Sequence, residues 1–124
     1  HSYFNIGDIS QIEVQNLPSS CYDSLQGKHT DVPSTRKIEQ GVDCIYTLEE
    51  DKTFLVDKAF NRRIQITHHH ADSIVLWNPW EKTPSAMKAD GYQNMVCIET
   101  ARLEKLLQFG ESISAEISTL PADI

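Results

Sequence analysis

The sequence predicts an all-β protein, and three observations carry the prediction. Apolar residues recur with period two in several short runs, turn-forming residues separate those runs, and no rhythm alternates strands with long helices. Residues 12–15, Ile-Glu-Val-Gln, alternate apolar and polar as a half-buried strand does. The stretch 18–42 is polar and broken by Pro18, Gly27, Pro33 and Gly41, so it reads mainly as an excursion loop. Strand character resumes at 44–48, and the acidic Glu49-Glu50-Asp51 turns the chain into a second short strand at 53–56. Residues 63–67 alternate cleanly, with Ile64 and Ile66 on one face. Residues 73–77 are apolar without alternation, which suits a strand buried on both faces. Residues 95–99 are similar but end in the carboxylate of Glu99, and 112–118 show strict period two. Only 100–108, through Ala101, Leu103, Leu106 and Leu107, invites a helical reading, a short helix or helical turn at most.

Composition narrows the class. The 124 residues suit one domain, and 40% hydrophobic with 23% charged content is ordinary for a globular protein. Eleven Lys and Arg against eighteen Asp and Glu give a net charge of -7, which repels polyanions; with no basic cluster to offset it, nucleic acid is excluded as a partner. A small phosphorylated ligand is compatible, because one or two local cations outweigh a diffuse negative field. No apolar run approaches the roughly 20 residues that span a bilayer. Cys21, Cys44 and Cys97 are odd in number and lack metal-ligand spacing, a pattern of reduced thiols that points to the cytoplasm. The chain opens with His1 where a translated protein has Met, so a fragment is expected.

Four groups of residues could carry chemistry. Glu99 shares a strand face with Met95 and Cys97, and a carboxylate among apolar neighbours pays a desolvation cost that prepares it as a general base. The alternative is a strand-end Glu that has already reached solvent. In Trp77-Asn78-Pro79-Trp80, indole faces could stack on sugar C–H faces and the amide could bind hydroxyls, or the loop could simply plug one end of a sandwich. His68-His69-His70 suggests a metal, but only His68 and His70 would share a strand face and no ligand set is completed, so surface or lining histidines are expected and no metal. Arg62-Arg63 could grip a phosphate, yet Arg63 fits a solvent face opposite Ile64. No nucleophile motif, Walker loop or dinucleotide fingerprint is present.

Four blocks, in order, carry a resemblance. His1-Ser2-Tyr3-Phe4-Asn5-Ile6-Gly7-Asp8-Ile9 resembles the H-[TS]-Y-F-x-[VI]-x-D-I segment of hexose-6-phosphate mutarotases, the glucose-6-phosphate 1-epimerases of the aldose-1-epimerase-like superfamily. Val42-Asp43-Cys44-Ile45-Tyr46 is similar to their T-D-R-[VI]-Y block, Val75-Leu76-Trp77-Asn78-Pro79-Trp80 to V-V-W-N-P-W, and Met95-Val96-Cys97-Ile98-Glu99-Thr100 to M-V-C-[VI]-E-[TA]. Phe109-Gly110-Glu111 before the last alternating run is similar to the closing P-G-E. The resemblance runs from His1 to about Leu120 and is nearest to gammaproteobacterial members.

It implies that residues 1–124 are the C-terminal half of one large antiparallel β-sandwich, the galactose-mutarotase-like supersandwich, and that the activity is interconversion of hexose-6-phosphate anomers without metal or organic cofactor. By the same resemblance His1 and Glu99 are the catalytic acid and base, Asp43 accepts hydrogen bonds from sugar hydroxyls, and Trp77 and Asn78 line the substrate pocket. Cys44 stands where many relatives carry Arg. The phosphate-gripping arginines fall in the half that precedes His1, so the chain is expected to be catalytically poor alone and to need its N-terminal half or self-association. A noncatalytic carbohydrate-binding or regulatory sandwich module, and a mutarotase of unphosphorylated aldoses, are the alternatives. The partner expected is a small hexose phosphate, with no nucleic acid and no membrane.

Overall fold

In the computed structural model, residues 1–121 are described, and they form two antiparallel sheets packed face to face. The strands are β1 (Tyr3–Asn5), β2 (Ile12–Gln15), β3 (Ser20–Asp23), β4 (Lys28–Asp31), β5 (Val42–Thr47), β6 (Lys52–Asp57), β7 (Arg62–His69), β8 (Ser73–Asn78), β9 (Met95–Ala101) and β10 (Ser114–Leu120). One sheet has the order β1-β9-β8-β5-β3-β4 and the other β10-β7-β6-β2. Short 3-10 turns at Ile9–Gln11 and Gly91–Asn94 are the helical elements among the described residues. Antiparallel all-β architecture is therefore what the chain adopts.

Period two places the core. Val42, Cys44 and Tyr46 of β5, Ile74 and Leu76 of β8, and Val96 and Ile98 of β9 point inward from the larger sheet. Ile12 and Val14 of β2, Leu55 of β6, and Ile64 and Ile66 of β7 meet them from the smaller one. Each such side chain contributes about 1.5–3 kcal/mol by leaving water. Arg36 ties the sheets at one end: its backbone exchanges bonds with Val14, while its guanidinium donates to Tyr46 Oη at 2.9 Å and Cys44 Sγ at 3.4 Å.

One expectation is incomplete and two fail. The stretch 18–42 is mainly turn and loop, but it also contains the β3–β4 hairpin, turned by Gly27 at φ 70. β4 sits at the sheet edge with β3 next to it, and apart from buried Cys21 the two are largely polar, so period two is faint there. Residues 100–108 form no helix. Thr100 and Ala101 remain in β9, and the Asp72 carboxylate then gathers the amides of Leu103, Glu104 and Lys105 at 2.8, 3.4 and 2.8 Å, which leaves Leu103, Leu106 and Leu107 exposed. The histidine triplet is not a surface or lining feature throughout either. His68 is buried, with Nε2 2.9 Å from Thr53 Oγ1 and Nδ1 2.7 Å from Thr100 Oγ1, and His70 has left the strand at φ 58, so the two do not share a face.

Candidate active site

The outward face of the larger sheet holds Asp43, Trp77 and Glu99. Residues directly opposite in antiparallel strands share a face. The register Tyr3↔Cys97, Cys97↔Trp77, Trp77↔Asp43 therefore sets one row across β1, β9, β8 and β5. Two residues along, Glu99↔Val75 and Val75↔Ile45 set the next row. Neighbouring strands lie about 4.8 Å apart, so the Cα atoms of the first row span roughly 14 Å, enough for a monosaccharide.

His1 precedes β1, and its Nδ1 lies 2.8 Å from Glu99 Oε1, across 98 positions of sequence. A backbone bond from Ile98 N to Ser2 O, 3.3 Å, holds the segment over β9. The imidazole is open, at 87% side-chain exposure, whereas the carboxylate keeps only 17%. The first and last expected site residues thus meet as a hydrogen-bonded pair at the sheet surface.

Asp43 is partly buried on the same face. Loss of water, then the Asp23 and Glu99 carboxylates, raise its pKa above the ordinary Asp value. Asp43 and Trp77 line a cleft of about 580 Å³ together with Asp23, Gln26, Gln40 and Trp80. A wider depression of about 820 Å³ lies elsewhere, near Asn16, Lys52 and Arg63, and holds none of the expected site residues.

Asn78 also lines the cleft beside Asp43 and Trp77, from below. Its side chain points inward and is buried; Nδ2 donates to the carbonyls of Tyr92 and Met95, both at 2.9 Å, and Oδ1 accepts from Trp80 N at 2.7 Å. Those bonds occupy both amide hydrogens and hold Trp80 at φ 58, a conformation costly for a bulky residue. Asn78 shapes the cleft from beneath. Arg62 is also engaged, by buried Asp57 at 3.1 Å and by the Asn5 carbonyl, and Arg63 lies over the Phe54 ring at 4.3 Å. Neither matches a free phosphate grip. Among the described residues, no group of three or more His, Cys, Asp or Glu side chains could hold a metal ion.

Sequence reasoning passed over Tyr3, Cys97 and Asp23. Tyr3 and Trp77 approach edge-on, ring centroids 6.1 Å apart at 72°. Between their strands lies Cys97, which faces outward yet has no exposed surface. Burial, and then the Glu99 carboxylate, push its thiol up to about 12. The signal was available: Tyr3 shares parity with His1, and Cys97 with Glu99.

Comparison with known proteins matches residues 1–119 to the family described as Aldose 1-epimerase. A protein of Haemophilus influenzae named "Putative glucose-6-phosphate 1-epimerase" is 55% identical over 118 residues, which cover 95% of this chain and 44% of that protein. One of Escherichia coli with the same name is 32% identical over 106 residues, 82% of this chain and 36% of its own length. The solved structure of HI1317 superposes with a TM-score of 0.95 at 54% identity, over 97% of this chain and 45% of that one. A "putative mutarotase" of Salmonella typhimurium superposes at 0.78 with 31% identity, over 85% and 37%. The chain therefore spans less than half the length of the relatives it matches.

Proposed function

This chain belongs to the aldose 1-epimerase family, and on that premise we propose that it interconverts the α and β anomers of a hexose 6-phosphate, with Glu99 and His1 as the proton-transfer pair. Glu99 takes the O1 proton; the electrons form the C1=O1 carbonyl, the C1–O5 bond breaks, and O5 receives a proton from the His1 imidazolium. Rotation about C1–C2 presents the other carbonyl face, and closure returns both protons to where they began. Asp43 binds sugar hydroxyls in the cleft beside Trp77, and Asn78 keeps that wall in shape.

The observation that supports this reading most is the 2.8 Å contact of His1 Nδ1 with Glu99 Oε1. Two groups that must reach O1 and O5 of one ring have to lie a few ångströms apart, and the sugar oxygens replace their mutual bond. The relatives named for glucose-6-phosphate 1-epimerase support the phosphorylated substrate, and the three buried free thiols suit a cytoplasmic setting. An N-terminal half, in cis or in trans, supplies the remaining wall and the phosphate grip.

Polarimetry of freshly dissolved glucose 6-phosphate with the protein at its natural full length tests the proposal. Acceleration is expected, and Glu99→Gln should lower kcat by about 10²–10⁴ while sugar-phosphate binding persists. Binding without acceleration by the unmodified protein makes it a carbohydrate-binding module instead. Equal acceleration of glucose and glucose 6-phosphate removes the phosphate specificity.

A further inference from the structure

An outward-facing side chain in the middle of a sheet is covered only if its neighbours lean over it. Cys97 is such a residue: it shares its face with the Glu99 carboxylate, yet its exposure is 0%. Directly opposite on either side stand Tyr3 and Trp77, about two strand spacings apart, or roughly 10 Å between Cα atoms. Their ring centroids are only 6.1 Å apart. The rings therefore close over the thiol, which is small enough to fit beneath them.

Covering the thiol uses only part of the Tyr3 ring, since Tyr3 remains 59% exposed. An exposed, oriented aromatic ring beside a polar pair is a binding surface. Pyranose rings carry C–H groups on their faces, and these pack on aromatic carbon. His1 and Tyr3 project from the same segment with the same parity, as do Glu99 and Cys97, so the two rings adjoin the proton-transfer pair.

We propose that Tyr3 and Trp77, closed over Cys97, form an aromatic floor in which the open Tyr3 ring receives the C–H face of the sugar and Trp77 stands edge-on to it at 72°, which makes Tyr3 a substrate-contact residue. This rests on the reading of the site as a sugar epimerase. The floor fixes which ring face meets the sheet and leaves the hydroxyl edge for Asp43. Its apolar character favours hexoses over equally charged phosphates that have no C–H face.

The test uses the protein at its natural full length and glucose 6-phosphate. Tyr3→Ala is expected to lower kcat/KM by about five- to tenfold, carried by KM and matched by an equal loss in Kd, and Tyr3→Phe should restore most of it. As Tyr3 is largely exposed, its truncation opens no cavity in the core. A second measurement needs no truncation: magnetisation transferred from labelled tyrosine ring protons to sugar C–H protons should vanish in Tyr3→Phe. A loss confined to kcat, or no loss, overturns the floor. Turnover without transfer overturns it while the epimerase reading stands. Transfer in a protein that never accelerates anomerisation keeps the floor and removes the epimerase. Neither transfer nor turnover overturns both.

Discussion

Asn78 lies between two tryptophans, yet its side chain points inward beneath the cleft, with its amide spent on the Tyr92 and Met95 carbonyls and the Trp80 amide. Truncation would leave two carbonyls and one N–H without partners, a cost of about 3 kcal/mol. Asn78→Ala should show it as a lower urea midpoint, with weaker sugar binding because Trp80 is no longer held. A stability change below about 0.5 kcal/mol would mean that water replaces the amide. The residue type was legible in Trp77-Asn78-Pro79-Trp80, but its direction was not, because β8 continues one residue beyond Trp77 and alternation sends Asn78 inward. Glu99 behaves in the opposite way: its parity with Met95 and Cys97 was readable, and it faces the site. Its partner was not readable from spacing, since 98 positions separate it from His1 and only the family resemblance joined them.

At the scale of elements, β7 and β9 are linked through His68, which bridges Thr53 and Thr100. Burial drives its pKa down from 6.5 to about 4, against a smaller upward pull from Asp51. The unfolded chain takes up this proton near pH 6.5 and the folded chain only near 4. Between those values the unfolded state binds more protons, so stability falls as pH falls, by about 3 kcal/mol in all. Urea midpoints between pH 7 and 4 should trace that loss, and His68→Gln should flatten it; an unchanged slope in the variant would assign it to other groups. The seven runs read as strands in the sequence all occur, with ends shifted by a few residues. The misses are β1, three residues long, and the hairpin β3–β4, where Cys21 is the one buried side chain and the polar remainder shows no alternation. The leucines at 103, 106 and 107 have helical spacing, but the anion of Asp72 claims the local amides first.

At the scale of the molecule, class was legible and assembly was not, because period two names a strand's faces without naming its neighbours. One consequence of the observed order is that β10 extends past the cover of the larger sheet. Ile117 pairs with Ile66 and points to the core side, yet it is 52% exposed. Leu106, Leu107 and Phe109 lie bare on the preceding loop. Unpaired edges and bare apolar faces seek partners. The chain prepared alone should therefore run above its monomer mass on size exclusion and bind an apolar dye, and adding an N-terminal half should reverse both. A dye-silent monomer would show that the uncovered face tolerates water.

Cys97 lies beneath two rings, and Cys21 and Cys44 lie inside the sandwich. A thiol reagent can reach the first only when the rings part and the other two only when the sheets do. The three sulfurs are thus built-in clocks of unequal depth: the pace at which each is consumed separates breathing at the surface from opening of the whole fold, with no label added.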